Sequence, residues 1–332
     1  MTTDNDPFAY RNHGGQFEIG GGEEQGISAL IKTKDTFLVI TKKSIYSTFL
    51  ADQVDPERTN PKIPKHSQQK ILAYGSDDSI VGRTLLQADA LFKDHALPSE
   101  INSEKAINIA LSFLKEMAVL HELTNKYSEE EKQKNSLFNG QVSKDESLHL
   151  PSIHDIEQQT KTFLINGDHA ARHIMELAQL FYPDIKNDKW TEQLVEKIKK
   201  EKGAGDPSTK FAEVIGSQLW LIRNLRNAIE HPKAEDRVKI CDYTLTKLGH
   251  VKSPMISYAN KETPLSEKLI SKFMTNTTEI LLVCFEVLMA YLCNIHAEPF
   301  AGDVRSVIEI PVTSRAPHET HVHFGYHIAW TR

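Results

Sequence analysis

Apolar residues along the chain change their spacing several times, and each change predicts a different kind of element. Over residues 27–92 they come in short runs rich in β-branched and aromatic side chains, ISALIKT, TFLVIT and SIYSTFLA, separated by polar turns such as Lys34-Asp35; such runs predict strands. Residues 55–67 carry three prolines among polar residues and read as a loop. From 101 to 127 the period lengthens: Ile107, Leu111, Leu114 and Ala118 recur every three or four positions, the signature of an amphipathic helix. The polar stretch 127–155 reads as an exposed connection. A second helix is predicted over 156–181, where Phe163, Ala170, Ile174, Leu177 and Phe181 keep helical spacing and Pro183 ends it. Two more follow at 190–202 and 211–230, separated by Gly203 and Gly205. The last helix, 265–297, is apolar almost all round in its second half, which marks it as central and buried. Period two returns in VRSVIEIPV and HVHFGYHIAW, a C-terminal hairpin turning through SRAPHET.

These patterns predict an α+β protein. Residues 1–26, polar and ending in GGGEEQG, form a loose arm; residues 27–98 form a β-rich region; residues 101–298 form a five-helix bundle with its core at 156–297. Residues 303–332 form the hairpin, which the usual closeness of chain ends would place beside the β-rich region in one sheet. A chain of 332 residues has room for about two domains.

With 39 Lys plus Arg against 45 Asp plus Glu, the net charge is -6, so the surface as a whole is not built to grip nucleic acid. Any such contact must be local. Residues 186–239 hold twelve Lys plus Arg and nine Asp plus Glu, a net +3 that leaves -9 for the remainder. The glycine run lacks the Gly-Lys-Ser/Thr ending of a phosphate loop and continues instead into two glutamates. Three cysteines without a CxxC pair suggest neither a disulfide framework nor a thiolate zinc site, and fit a reducing cytoplasm. The N-terminal residues show no secretory signal pattern, and the apolar stretch 280–295, interrupted by Glu286, falls short of the ~20 residues that span a bilayer, so no membrane association is expected.

The stretch that carries chemistry is LIRNLRNAIEHPKAEDR, residues 221–237. Leu221, Ile222, Leu225, Ala228 and Ile229 make its apolar face, and Arg223, Asn227 and Glu230 lie on another. Arg226 and Glu230, four apart, would form an ordinary surface ion pair. Pro232 disfavours helix at His231, so the helix ends there, placing the imidazole near the negative end of the helix dipole. Arg226, one turn earlier, offers a planar cation suited to bidentate phosphate contact.

The string Arg226, Asn227, Ala228, Ile229, Glu230, His231 resembles the signature of HEPN domains: an arginine, a polar residue that is often asparagine, a short spacer and a histidine. The layout of long helices resembles the HEPN bundle too. The resemblance covers residues 156–297 and leaves both β-rich ends unexplained. It implies a metal-independent endoribonuclease with no cofactor, completed by the same motif of a second subunit in a homodimer. It also implies a toxin or defence effector whose β-rich part controls it, with a regulatory protein as a further partner. Other members of the family keep the fold without cleaving and bind RNA, nucleotide or protein. On the catalytic reading His231 is general acid or base, Arg226 the clamp on the charged phosphorane and Asn227 the orienting amide. Arg223 and Glu230 stand beside the substrate, Arg223 as a second phosphate contact.

Three further groupings carry simpler readings. His318, His321, His323 and His327 form a dense cluster, with His321, His323 and His327 expected on one strand face, but they lack the nearby cysteine or carboxylate set of a zinc site. Glu286, on the apolar last helix, should be buried and either seek a cation such as Arg226 or Arg172 or simply satisfy a core histidine. His169 and His173, flanking Arg172, read as helix-surface residues. A second arginine–histidine spacing, Arg315 to His321, falls in the predicted hairpin turn rather than on a helix.

Overall fold

The computed structural model describes residues 6–12, 19–20, 26–34, 36–186, 189–233 and 236–329. Strands β1 (Ile27–Lys32), β2 (Phe37–Thr41), β3 (Ile45–Leu50) and β4 (His66–Leu72) come first. Helices α1 (Ser103–Leu137), α2 (Ile156–Phe181), α3 (Trp190–Lys202) and α4 (Pro207–Glu230) follow. Short strands β5 (Val238–Cys241), β6 (Thr244–Leu245), β7 (Val251–Lys252), β8 (Met255–Tyr258) and β9 (Leu265–Leu269) lead into α5 (Ile270–Ile295), and β10 (Val304–Glu309) and β11 (Phe324–Ala329) end the chain. The fold is α+β, as the sequence pattern predicts, and the five long helices among the described residues match the five expected.

The chain divides into two compact units, residues 112–292 and residues 1–111 with 293–332, so the boundary runs through α1 and α5. In the terminal unit β1 to β4 form one antiparallel sheet in sequence order, with Val39, Ile40 and Ile45 fully buried. The hairpin β10–β11 is a separate two-stranded sheet in register from Val304↔Ala329 to Glu309↔Phe324, and it does not join the N-terminal sheet. It docks instead on helical turns at 79–91, an element the strand-like spacing of 27–92 did not suggest. The buried amide of Gln87 explains the docking: its Nε2 donates to Phe324 O at 2.7 Å, and its Oε1 accepts from the N–H groups of His323 and Phe324. Gly82 permits the approach, since a Cβ there would lie 2.3 Å from His321 Cβ.

Part of the arm expected to be loose is fastened. Residues 9–12 form one helical turn from which Arg11, its side chain 1% exposed, reaches Asp52 at 3.2 Å and Asp55 at 3.0 Å. A buried guanidinium requires such acids. The N–H groups of Asn60 and Thr59, together with Arg11, hold the Asp55 carboxyl below the usual carboxylate range. Most of GGGEEQG lies outside the described residues.

In the central unit α2, α3 and α4 pack through Phe163, Ile174, Leu177, Leu194, Leu219, Ile222 and Leu225, all buried. Phe113 of α1 stacks on Phe285 of α5 with ring centroids 4.0 Å apart, and Phe163 meets Phe273 edge-on at 6.1 Å. Three differences from the sequence pattern stand out. Helix α1 continues to Leu137, because the run YSEEEKQKNSL loses apolar period but consists largely of good helix formers. The last helix begins at Ile270, since 265–269 pairs as β9 with β8, Met255 opposite Leu269. Strands β5 to β9 interrupt the helical region, a small sheet in the order β5-β8-β9 plus the β6–β7 ribbon, each too short to show an alternating pattern.

Helix α5, at 26 residues, is long and apolar enough by composition to cross a membrane, but 56% of its most apolar stretch is buried inside the fold, as in the core helix of a soluble protein. Its Cys284 thiol is pushed up to about 12 by burial, leaving it protonated and unreactive.

Candidate active site

Helix α4 starts where Asp206 accepts from the Ser208 N–H at 2.8 Å and Pro207 takes the first helical position. Ala212, Ile215, Leu219, Ile222 and Leu225 recur along its buried face. Packing that face turns another stripe outward: Trp220, then Arg223 and Asn224, then Asn227, then His231, one turn apart. The helix stops as the sequence predicts. The His231 N–H closes the last turn on Asn227 O at 2.8 Å, and its backbone leaves the helical region at φ -130°, ψ 65° ahead of Pro232.

Beside this end lies an open cleft of about 980 Å³. Asn224, Asn227, Ala228 and His231 form its helical wall, Lys233 and Asp236 come from the loop after the helix, and residues 258–262 form the opposite wall. Asn260 braces that wall: its Nδ2 donates to Asp236 Oδ1 at 2.7 Å and to the Tyr258 hydroxyl at 3.1 Å, and its Oδ1 accepts from the N–H groups of Glu262 and Thr263. Asn224 Nδ2 donates to Thr263 Oγ1 at 3.0 Å, joining the two walls. The ionised lining residues balance, Lys233 and Lys261 against Asp236 and Glu262.

The structure brings Asn227 and His231 into this cleft and places Arg226 beside it. Arg226 Nη2 sits 2.6 Å from Glu230 Oε2, and Nη1 donates to Asn227 Oδ1 at 3.1 Å. That bond uses one lone pair of the Asn227 oxygen and leaves its NH₂ group for other partners. Arg226 Nε is buried 3.9 Å from Asp168 Oδ2, too far for a hydrogen bond, and has no hydrogen-bond partner. The ordinary ion pair expected of Arg226 and Glu230 is thus present, and Glu230 is engaged with the arginine rather than facing the cleft. Asp168, with its side chain 5% exposed, also accepts from Arg172 Nη2 at 2.6 Å, so two guanidinium groups converge on one buried carboxylate.

Arg223 faces a second, smaller cleft of about 210 Å³, bounded by Asp168 and Arg172 of α2, Trp190 of α3 and Trp220 of α4. Its guanidinium carbon lies 5.7 Å from the Trp220 ring centroid. Asp168 is the central acid that sequence reasoning missed. Its only local signal is the four-residue spacing to Arg172, whereas its approach to Arg226 is made by helix packing.

The other groupings resolve structurally. The acid meeting Arg172 and Arg226 is Asp168, not the buried Glu286. His169 lies 3.7 Å from Glu116, and His173 Nδ1 lies 2.8 Å from Glu176. Of the C-terminal histidines only His327 is in β11; His321 and His323 precede it, so the expected shared strand face does not form. Among the described residues no group of three or more His, Cys, Asp or Glu is assembled for a metal ion. Arg315 ties the hairpin turn, donating to Ile310 O at 3.0 Å and Thr320 O at 3.1 Å. No family model, curated protein or solved structure matches this chain.

Proposed function

We propose that the chain is a HEPN-type, metal-independent endoribonuclease acting in the cytoplasm as a homodimer. The observation that carries this reading is the placement of His231 at the end of α4, in an open cleft beside Asn227, with Arg226 one turn back. RNA supplies its own nucleophile. A base removes the 2′-hydroxyl proton, the oxygen attacks the adjacent phosphorus, and an acid protonates the departing 5′-oxygen, leaving a 2′,3′-cyclic phosphate. One His231 serves one of these steps; a second copy serves the other and makes a dimer the economical arrangement. Arg226 reaches the phosphorane by exchanging Glu230 for a phosphate oxygen, and the NH₂ group of Asn227 donates to the substrate. A toxin or defence role, with a regulatory protein partner, belongs to the same reading.

The Glu230 pairing of Arg226 and the balanced charge of the cleft favour a second reading, a non-cleaving HEPN protein that binds RNA, nucleotide or a partner protein. Total RNA incubated in EDTA with wild type and with the Arg226→Ala, His231→Ala double variant separates the two. The nuclease reading expects cyclic-phosphate ends from wild type alone. Cleavage unchanged in the double variant refutes the site, and RNA binding without cleavage by wild type supports the second reading.

A further inference from the structure

We propose that the smaller cleft on α4 holds a neighbouring nucleotide of a single-stranded RNA, with Trp220 as the surface on which its base stacks and Arg223 and Arg172 as contacts to its phosphate. This deepens the ribonuclease reading and rests on it for the identity of the polymer. The apolar part of its lining, Ala171, Met175, Trp190 and Leu219, is buried. The rim is cationic and aromatic, with Arg172 exposed and Trp220 and Arg223 half-buried. Asp168 below accepts from Arg172, but a guanidinium carries five N–H donors, and this contact uses one of them.

The lining of this cleft carries two guanidinium groups and one carboxylate, whereas the cleft at His231 is lined by two lysines and two carboxylates. At about 210 Å³ it is smaller than the ~300–1,000 Å³ typical of pockets that enclose a whole small molecule. A space of this size, with an indole on one wall, suits one planar ring of a longer ligand. Every base offers a π-face, so an indole and an arginine side by side form a sequence-tolerant stacking platform. The position along α4 supplies the link to chemistry. Trp220, Arg223, Asn227 and His231 follow one helical stripe, and the eleven steps from Trp220 to His231 rise about 16 Å, a span of a few nucleotides.

The test is indole fluorescence in a Trp330→Phe background, titrated with a uridine octanucleotide whose 2′-hydroxyls are methylated, so that it binds without being cut. The proposal expects quenching on binding, a loss of affinity of about tenfold or more for Trp220→Ala, and a smaller loss for Trp220→Phe. It also expects Arg223→Gln to lower the slope of log affinity against log salt by about one contact. Equal affinity of Trp220→Ala and parent overturns it, as does binding without quenching. Failure of the nuclease reading is separate: an octanucleotide bound through Trp220 by a protein that cuts no RNA leaves this cleft standing and removes the catalytic site. RNA cleavage with unchanged KM in Trp220→Ala does the reverse.

Discussion

Asp168 is the acid on which the candidate site is built, and replacing it with alanine tests that directly. Its side chain is 5% exposed, and the two cations that face it differ in how easily water can replace it. Arg172, 52% exposed at 2.6 Å, can turn to solvent once the carboxylate is gone. Arg226, 24% exposed and with Nε buried, cannot do so without breaking its contacts with Glu230 and Asn227. Removing one partner of a buried ion pair costs about 3–5 kcal/mol; the exposed partner here discounts that to about 2–3 kcal/mol, near the value of a single hydrogen bond to a charged group. Glu230→Ala removes a half-exposed helix pair and should cost under about 1 kcal/mol. Urea unfolding followed by indole fluorescence in the Trp330→Phe background reads the central unit, because Trp190 and Trp220 line the same cleft as Asp168. With a urea slope of about 2 kcal/mol/M, Asp168→Ala should lower the midpoint by about 1 M or more. Equal losses for Asp168→Ala and Glu230→Ala, or a loss below about 1 kcal/mol for Asp168→Ala, would refute the argument that the buried carboxylate organises the two arginines.

Two predictions concern the terminal unit. Gly82→Ala places a Cβ 2.3 Å from His321 Cβ and 2.9 Å from its carbonyl carbon; overpacking of this kind costs about 1–3 kcal/mol, so β10–β11 should gain protease sensitivity while β1–β4 keep their hydrogen-exchange protection. Burial, then the charges of Arg315 and Arg83, lowers the His323 pKa from 6.5, so the folded state disfavours the proton that the unfolded chain accepts. The stability this residue contributes is present above about pH 6.5 and declines as the pH falls toward the lowered value, and His323→Gln should flatten that part of a thermal-midpoint profile; an unchanged slope contradicts the assignment.

What the sequence makes legible follows the range of the interaction responsible. The end of α4 is readable because a proline acts on the residue before it, and His231 is the last position before Pro232. Its start is placed four residues late by the hydrophobic period, since Asp206 and Pro207 act as cap and first helical residue rather than as a break. Helix α1 outruns its apolar spacing because propensity continues where burial stops. The short strands β5 to β9 leave no periodicity to detect, yet residues 258–262 beside β8 supply the wall that makes His231 part of a cleft.

The same distinction governs the site. Residue type and spacing identify Arg226 as a planar cation near a helix end, but a cation serves a phosphate only with the charge its neighbours leave it. Asp168 reaches Arg226 through the packing of α2 on α4, and Glu230 reaches it through one helical turn; only the second is written locally in the sequence. Arg226 is thus engaged by acids on two sides, while Arg223, one turn back on the outward stripe of α4, shares its cleft with Arg172 and an indole. On the proposed ribonuclease reading, substrate affinity and catalysis belong to different turns of one helix. A variant at Trp220 or Arg223 should weaken RNA binding without altering the chemistry at His231, and a variant at His231 should do the opposite.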